Sequence, residues 1–171
     1  MRLFAALHPP SHVVADADSA LAQLRAAHPD IRWVPAVRWH LTLAFYGEVP
    51  DGKVDSLKTK VESRARRAPA LELALQGAGQ FARRALWLGV DGELTRLRAL
   101  AQSLTFDRRP YRPHLTVARL RNGVDATPVV AALAGYAGPS WVAGSVHLVR
   151  SRLGASPTYD DVGCWPLQPR P

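Results

Sequence analysis

Two stretches decide the fold: Trp39-His40-Leu41-Thr42-Leu43-Ala44 and Pro113-His114-Leu115-Thr116-Val117-Ala118. They share the pattern His-Leu-Thr-aliphatic-Ala, and their histidines stand 74 residues apart in a chain of 171. Two copies at so long a period do not make a solenoid. They read as a duplicated lobe in which each half supplies one equivalent strand to a shared site. Side chains of a strand alternate faces with period two. His40 and Thr42 therefore share one face, as do His114 and Thr116, while Leu41, Leu43, Leu115 and Val117 point to the core.

Working outward, Arg2–Leu7 reads as a strand, and Ser11 to about Ala27 as an amphipathic helix whose apolar residues recur at three- and four-residue steps. Pro29 and Asp30 stop it. Trp33–Tyr46 is β-rich, and Val54, Leu57, Val61 and Ala65 mark a second helix. Strands are expected at Leu71–Gln76 and Ala85–Val90, followed by a helix on Leu94, Leu97, Ala101 and Leu104. His114 to about Leu120 is a strand, Pro128–Leu133 a short helix, and Trp141 to Leu153 one long strand. The tail closes on an apolar Cys164-Trp165-Pro166-Leu167. Short strands and helices without strict βαβ regularity predict an α+β fold. No linker or low-complexity tract divides the chain, so residues 1–171 are expected to form one domain.

Composition narrows the function classes. Hydrophobic content of 47% with 21% charged residues excludes a disordered or fibrous chain. No stretch approaches the roughly eighteen apolar residues of a membrane span. The apolar run after Met1 breaks at His8-Pro9-Pro10, too early for a secretory leader. A lone Cys164 excludes an internal disulfide and a thiolate metal cluster. A cytoplasmic location and a monomer are the corresponding expectations. The net charge of +8, with a pI of about 10.5, favours a polyanionic partner.

The paired His-x-Thr faces suit in-line displacement at phosphorus. One imidazole takes a proton from water and the other gives one to the leaving oxygen. Histidine serves both roles because its ordinary pKa lies near neutrality. The hydroxyls of Thr42 and Thr116 would hold the non-bridging phosphate oxygens. The strand pattern gives a pair of roles to His40 and His114 but does not order them.

At these residues the chain resembles the 2H phosphoesterases, and among them the bacterial and archaeal RNA 2′,3′-cyclic phosphodiesterases also called 2′-5′ RNA ligases. The resemblance runs through Arg2–Leu7, Trp33-Val34, His40–Val49, Leu86–Val90, Tyr111–Arg119, Leu148–Leu153 and Tyr159. It implies a bilobal fold of two antiparallel sheets lining a central groove, with helices outside. It also implies hydrolysis of a terminal 2′,3′-cyclic phosphate to a 2′-phosphate, and in some members slow 2′-5′ joining of RNA ends. No metal or other cofactor is implied. By resemblance His40 is the acid for the leaving 3′ oxygen and His114 the base for water. The chain departs from the family at Val37-Arg38-Trp39, at Phe45-Tyr46-Gly47, and in Gln80–Arg84, which lacks an expected proline.

Further positions stay open. Arg112 has the parity of His114 and would reach phosphate. Arg119 has the opposite parity and joins the site only if the strand bulges near Ala118; the second motif of the family includes it. Phe45 also has the wrong parity and reads as core, with base stacking the alternative. Trp33 and Tyr159 would stack on a base or serve as buried anchors. Arg83-Arg84, Arg108-Arg109 and Arg121 are candidates for a basic track along RNA. His8, His12, His28 and His147 match no motif, and none completes a zinc site by spacing. The competing readings are a phosphodiesterase for small cyclic or 2′-5′-linked nucleotides, a non-catalytic RNA-end binder, and a metallohydrolase liganded by His40 and His114. Without a GxxxxGK[ST] loop, any ligation is expected to be independent of ATP.

Overall fold

A computed structural model describes all residues but 106, 108, 122, 123, 155, 156 and 171. Its strands are β1 (Arg2–Leu7), β2 (Arg32–Trp33), β3 (Leu41–Glu48), β4 (Leu71–Phe81), β5 (Ala85–Gly92), β6 (His114–Arg119), β7 (Trp141–Ala143), β8 (Ser145–Arg152) and β9 (Thr158–Pro166). Its helices are α1 (Ser11–Ala27), α2 (Asp51–Ala65), α3 (Leu94–Leu104) and α4 (Thr127–Ala132). The strands run in the order β7-β4-β5-β6-β3-β1-β8-β9, with β2 added on β6. All their pairings are antiparallel.

This order is two four-strand sets placed end to end, β6-β5-β4-β7 and β3-β1-β8-β9. Each begins with a His-x-Thr strand. The two inner strands meet through a single register pair, Leu41 with Leu115, and both leucines are fully buried. The expected pair of antiparallel sheets is thus a curled surface joined at one seam. Tyr111, just before the second motif, adds a cross-lobe tie by donating from its hydroxyl to the Thr42 carbonyl at 2.9 Å. Behind the sheets, α1 buries Val13, Ala17 and Leu21, four residues apart, so one stripe of the helix meets the core. α2 packs on β8 and β9, α3 on β3 and α2, and α4 on β4.

Three sequence expectations change. The long strand Trp141–Leu153 is two strands, because Gly144 is where the chain crosses lobes: β7 pairs with β4, β8 with β1 and β9. The tail, assigned no element from sequence, is an edge strand from Thr158, and Cys164 of its apolar close is exposed. β4 extends to Phe81, since Gly77, at φ 62°, absorbs a bulge that would otherwise end the strand.

The β4–β5 hairpin turns on Ala82 and Arg83, with φ of 45° and 51°, and Arg84 N–H donates to the Phe81 carbonyl at 2.8 Å. Both central residues of this turn need positive φ, which Asn and Gly adopt far more cheaply than Ala and Arg. Ala82→Asn combined with Arg83→Gly is expected to raise the unfolding free energy by about 1–2 kcal/mol. Urea denaturation checks this, and an unchanged or lowered midpoint counts against strain at the turn.

Candidate active site

The two motifs are bulged at the same position. Across β1 and β3, Ala6 faces Thr42 and Ala5 faces Ala44, so Leu43 is an extra residue. Across β5 and β6, Trp87 faces Thr116 and Leu86 faces Ala118, so Val117 is extra. A one-residue bulge inverts side-chain parity from there on. It brings the fifth residue after each histidine, Phe45 and Arg119, onto the groove side. Arg119 therefore joins the site by the bulge that its inclusion required. Phe45 is not core: it is 53% exposed, with Arg2 over its ring at 4.8 Å.

One cavity of about 410 Å³ is lined by His40, Thr42, His114, Thr116, Arg119 and Tyr159, together with Arg32, Trp33, Arg38 and Phe81. The structure thus gathers both His-x-Thr pairs in one concavity. Among the described residues, neither threonine hydroxyl has a protein hydrogen-bond partner. Each histidine is oriented by the same local bond. His40 Nδ1 lies 2.8 Å from the carbonyl of Arg38, and His114 Nδ1 lies 2.7 Å from that of Arg112. A carbonyl only accepts, so Nδ1 carries the proton and Nε2 is left free to take or give one.

Aromatic rings fix the imidazole planes. His40 stacks on Phe4 with centroids 4.7 Å apart and meets the edge of Tyr159 at 5.2 Å. His114 meets Phe81 edge-on at 4.8 Å. Tyr159 is partly exposed rather than a buried anchor. Trp33 is half-buried and donates from its indole to the His28 carbonyl at 3.2 Å, so it is anchored at the rim.

Arg112 precedes β6, and its side chain lies outside the shared cavity. It lines an adjoining cavity of about 440 Å³ with Phe45, Phe81 and Arg109. Arg38 holds the equivalent position before His40 and does line the shared cavity. The repeat offset that relates His40 to His114 also relates Arg38 to Arg112, and that signal identifies Arg38. Phe4 and Phe81 carry no such signal. Of the basic track, Arg83, Arg84 and Arg121 are exposed, Arg109 is paired with Asp107 at 2.6 Å, and Arg108 lies outside the described residues.

Burial, the largest cause, lowers the His40 pKa from 6.5 to about 4, and His8, Arg119 and His114 push in the same direction. Burial also lowers that of His114, again with help from Arg119. Arg119→Gln is therefore expected to raise both histidine midpoints in an NMR titration, because a cation beside an imidazole opposes its protonation. Both should stay below the ordinary value, since burial persists. Unmoved midpoints would place the guanidinium away from both rings.

Fold and groove together define the two-histidine class of phosphoesterases. A family model described as the 2′-5′ RNA ligase superfamily matches residues 9–155. The chain is 33% identical to an RNA 2′,3′-cyclic phosphodiesterase of Geobacillus stearothermophilus, over 92% of this chain and 52% of that protein. It thus spans about half the length of that relative. Against an RNA 2′,3′-cyclic phosphodiesterase of Methanothermobacter thermautotrophicus it is 31% identical, over 81% of this chain and 84% of the relative. A crystal structure of E. coli LigT complexed with 3′-AMP superposes with a TM-score of 0.76 at 28% identity, covering 97% of each chain. This chain belongs to the 2′-5′ RNA ligase superfamily.

Among the described residues, no helix is long and apolar enough to cross a membrane.

Proposed function

We propose that this chain hydrolyses the 2′,3′-cyclic phosphate at an RNA end to a 2′-phosphate. The reading rests on one observation: two His-x-Thr pairs in one cavity, each imidazole presenting Nε2 because its Nδ1 is bound to a backbone carbonyl. His114 Nε2 takes a proton from water as the water oxygen attacks phosphorus. The bond from phosphorus to the 3′ oxygen breaks, and His40 Nε2 delivers its proton to that oxygen. The ribose then carries a free 3′-hydroxyl and a 2′-phosphate. This order follows the family resemblance; the geometry is equally symmetrical about either.

Thr42 and Thr116 donate to the non-bridging oxygens, and Arg119 balances their charge. Phe45 and Tyr159 offer ring surface to bases, and Arg112 reaches the flanking backbone phosphate. The two imidazoles supply both proton transfers, so the mechanism assigns no step to a metal. A 5′-hydroxyl attacking in place of water would form a 2′-5′ linkage without ATP, because the strained cyclic ester supplies the bond energy. Both histidines come from one polypeptide, and a monomer acting in the cytoplasm fits this reading. The charge of +8 favours an RNA chain over a mononucleotide.

The test is incubation in EDTA with a short RNA ending in 2′,3′-cyclic phosphate, beside the matching mononucleotide. Conversion to a phosphatase-sensitive 2′-phosphate is expected, with higher kcat/KM on the oligomer and a steep loss with salt. No turnover, or loss of turnover to EDTA alone, sinks the proposal.

A further inference from the structure

Three side chains that no sequence motif links converge beside the groove. His8 follows β1, His147 lies in β8 and Asp161 in β9. Ala6 pairs with His147, and His8 lies two residues further on the same face. Between β8 and β9, His147 faces Cys164 and Val149 faces Asp161, leaving Val162 as an extra residue. That bulge turns Asp161 to the His147 side. His147 Nδ1 lies 2.7 Å from Asp161 Oδ2, and His8 Nε2 lies 3.5 Å from Asp161 Oδ1. One donor atom from each residue lies within 4.8 Å of the others.

We propose that His8, His147 and Asp161 bind a divalent first-row transition-metal ion of the Zn²⁺, Ni²⁺ and Co²⁺ group, at a site that shares no ligand with the two His-x-Thr pairs although His40 borders its cavity. Two imidazole nitrogens and one carboxylate are a donor set for these ions, whereas Mg²⁺ and Ca²⁺ need shells of oxygen. Around a tetrahedral ion with bonds of about 2.1 Å, neighbouring donors stand about 3.4 Å apart. His8 Nε2 already stands at that spacing from Asp161 Oδ1, at 3.5 Å, while His147 Nδ1 lies 2.7 Å from Oδ2, so the carboxylate has to turn and open from His147 to present one oxygen to both rings. His147 also has the outer partner that orients a metal-binding histidine: Ser145 Oγ lies 3.0 Å from its Nε2. Water completes the shell, since His8 and Asp161 are exposed to an adjoining cavity of about 390 Å³.

The ion would tie the end of β1 to β9, the strand that carries Tyr159 to the edge of His40. The site does not depend on the proposed reaction, and its test reads binding rather than turnover. The full chain is stripped with EDTA, freed of chelator, and titrated with Co²⁺ under visible absorption and with Zn²⁺ in a calorimeter. Saturation at one ion per chain is expected, with the visible bands of low-coordinate Co²⁺ and a higher Tm. His147→Ala and Asp161→Asn should each weaken binding at least tenfold, while His114→Ala, outside that cavity, leaves it intact. Circular dichroism of the metal-free variants guards against misfolding. Zn²⁺-induced NMR shifts in wild type provide a second reading that needs no variant, and they should centre on the rings of His8 and His147. Absence of saturable binding, binding unchanged in both variants, or shifts confined to other histidines overturns the site.

Discussion

Replacing His114 with alanine is expected to slow hydrolysis of an RNA 2′,3′-cyclic phosphate by about 10²–10⁴, and replacing His40 to slow it comparably. Each imidazole handles a proton that moves only as phosphorus is attacked, so the loss should fall on kcat, with KM little changed. Because one histidine has nothing to complete once the other is missing, the double variant should lose far less than the product of the single losses. Glutamine at either position retains a donor toward the Arg38 or Arg112 carbonyl but cannot shuttle a proton, so it should be as inactive as alanine. Phe45→Ala, by contrast, removes exposed ring surface and should act mainly on KM for an oligonucleotide. Steady-state kinetics with the phosphatase readout separates these outcomes. A His114→Ala enzyme within about threefold of wild-type kcat would remove that residue from the chemistry.

Much of the fold and groove was legible because the duplication repeats a strand, and strand parity converts sequence into faces. His40, Thr42, His114 and Thr116 fall together on that ground alone. The bulges were not legible. Leu43 and Val117 are ordinary β-formers, and nothing in their chemistry marks an unpaired residue, so Phe45 read as core. Yet both bulges occupy one position of the repeat. Laying the halves over each other at the offset of the histidines aligns Phe45 with Arg119 and Arg38 with Arg112. The crossing at Gly144 was hidden for another reason: Trp141–Leu153 is rich in β-formers throughout, and although its buried positions switch parity at Gly144, only pairing partners show that its halves serve different lobes. His8, His147 and Asp161 are joined by pairing and a bulge in β9, which spacing in sequence does not encode.

The other large effect is of pH, and it follows from the burial of His40. With His40 near 4 and His114 below 6.5, free enzyme at neutral pH holds both imidazoles uncharged. Catalysis needs one protonated and one neutral. Below both pKa values the base is lost, and above both the acid falls about tenfold per pH unit. The diester stays monoanionic throughout, so kcat/KM should peak on the acid side of 6.5 and decline with unit slope through neutrality. Bound phosphate favours the imidazolium, so the kcat profile should lie at higher pH than that of kcat/KM. Stability responds to the same residue with a definite sign. The unfolded chain protonates His40 at its ordinary 6.5 and the folded chain only near 4, so between these values the unfolded state holds more protons. Folding stability therefore falls as pH drops through that window, by roughly 3 kcal/mol when the drop is complete. His40→Asn removes the group, so the variant should be inactive yet lose less stability than wild type between pH 7.5 and 4.5. Urea midpoints of the two proteins at those pH values test the stability claim. Parallel losses in both, or a kcat/KM optimum above neutrality, would show that His40 is not the buried imidazole, resistant to protonation, that its packing on Phe4 describes.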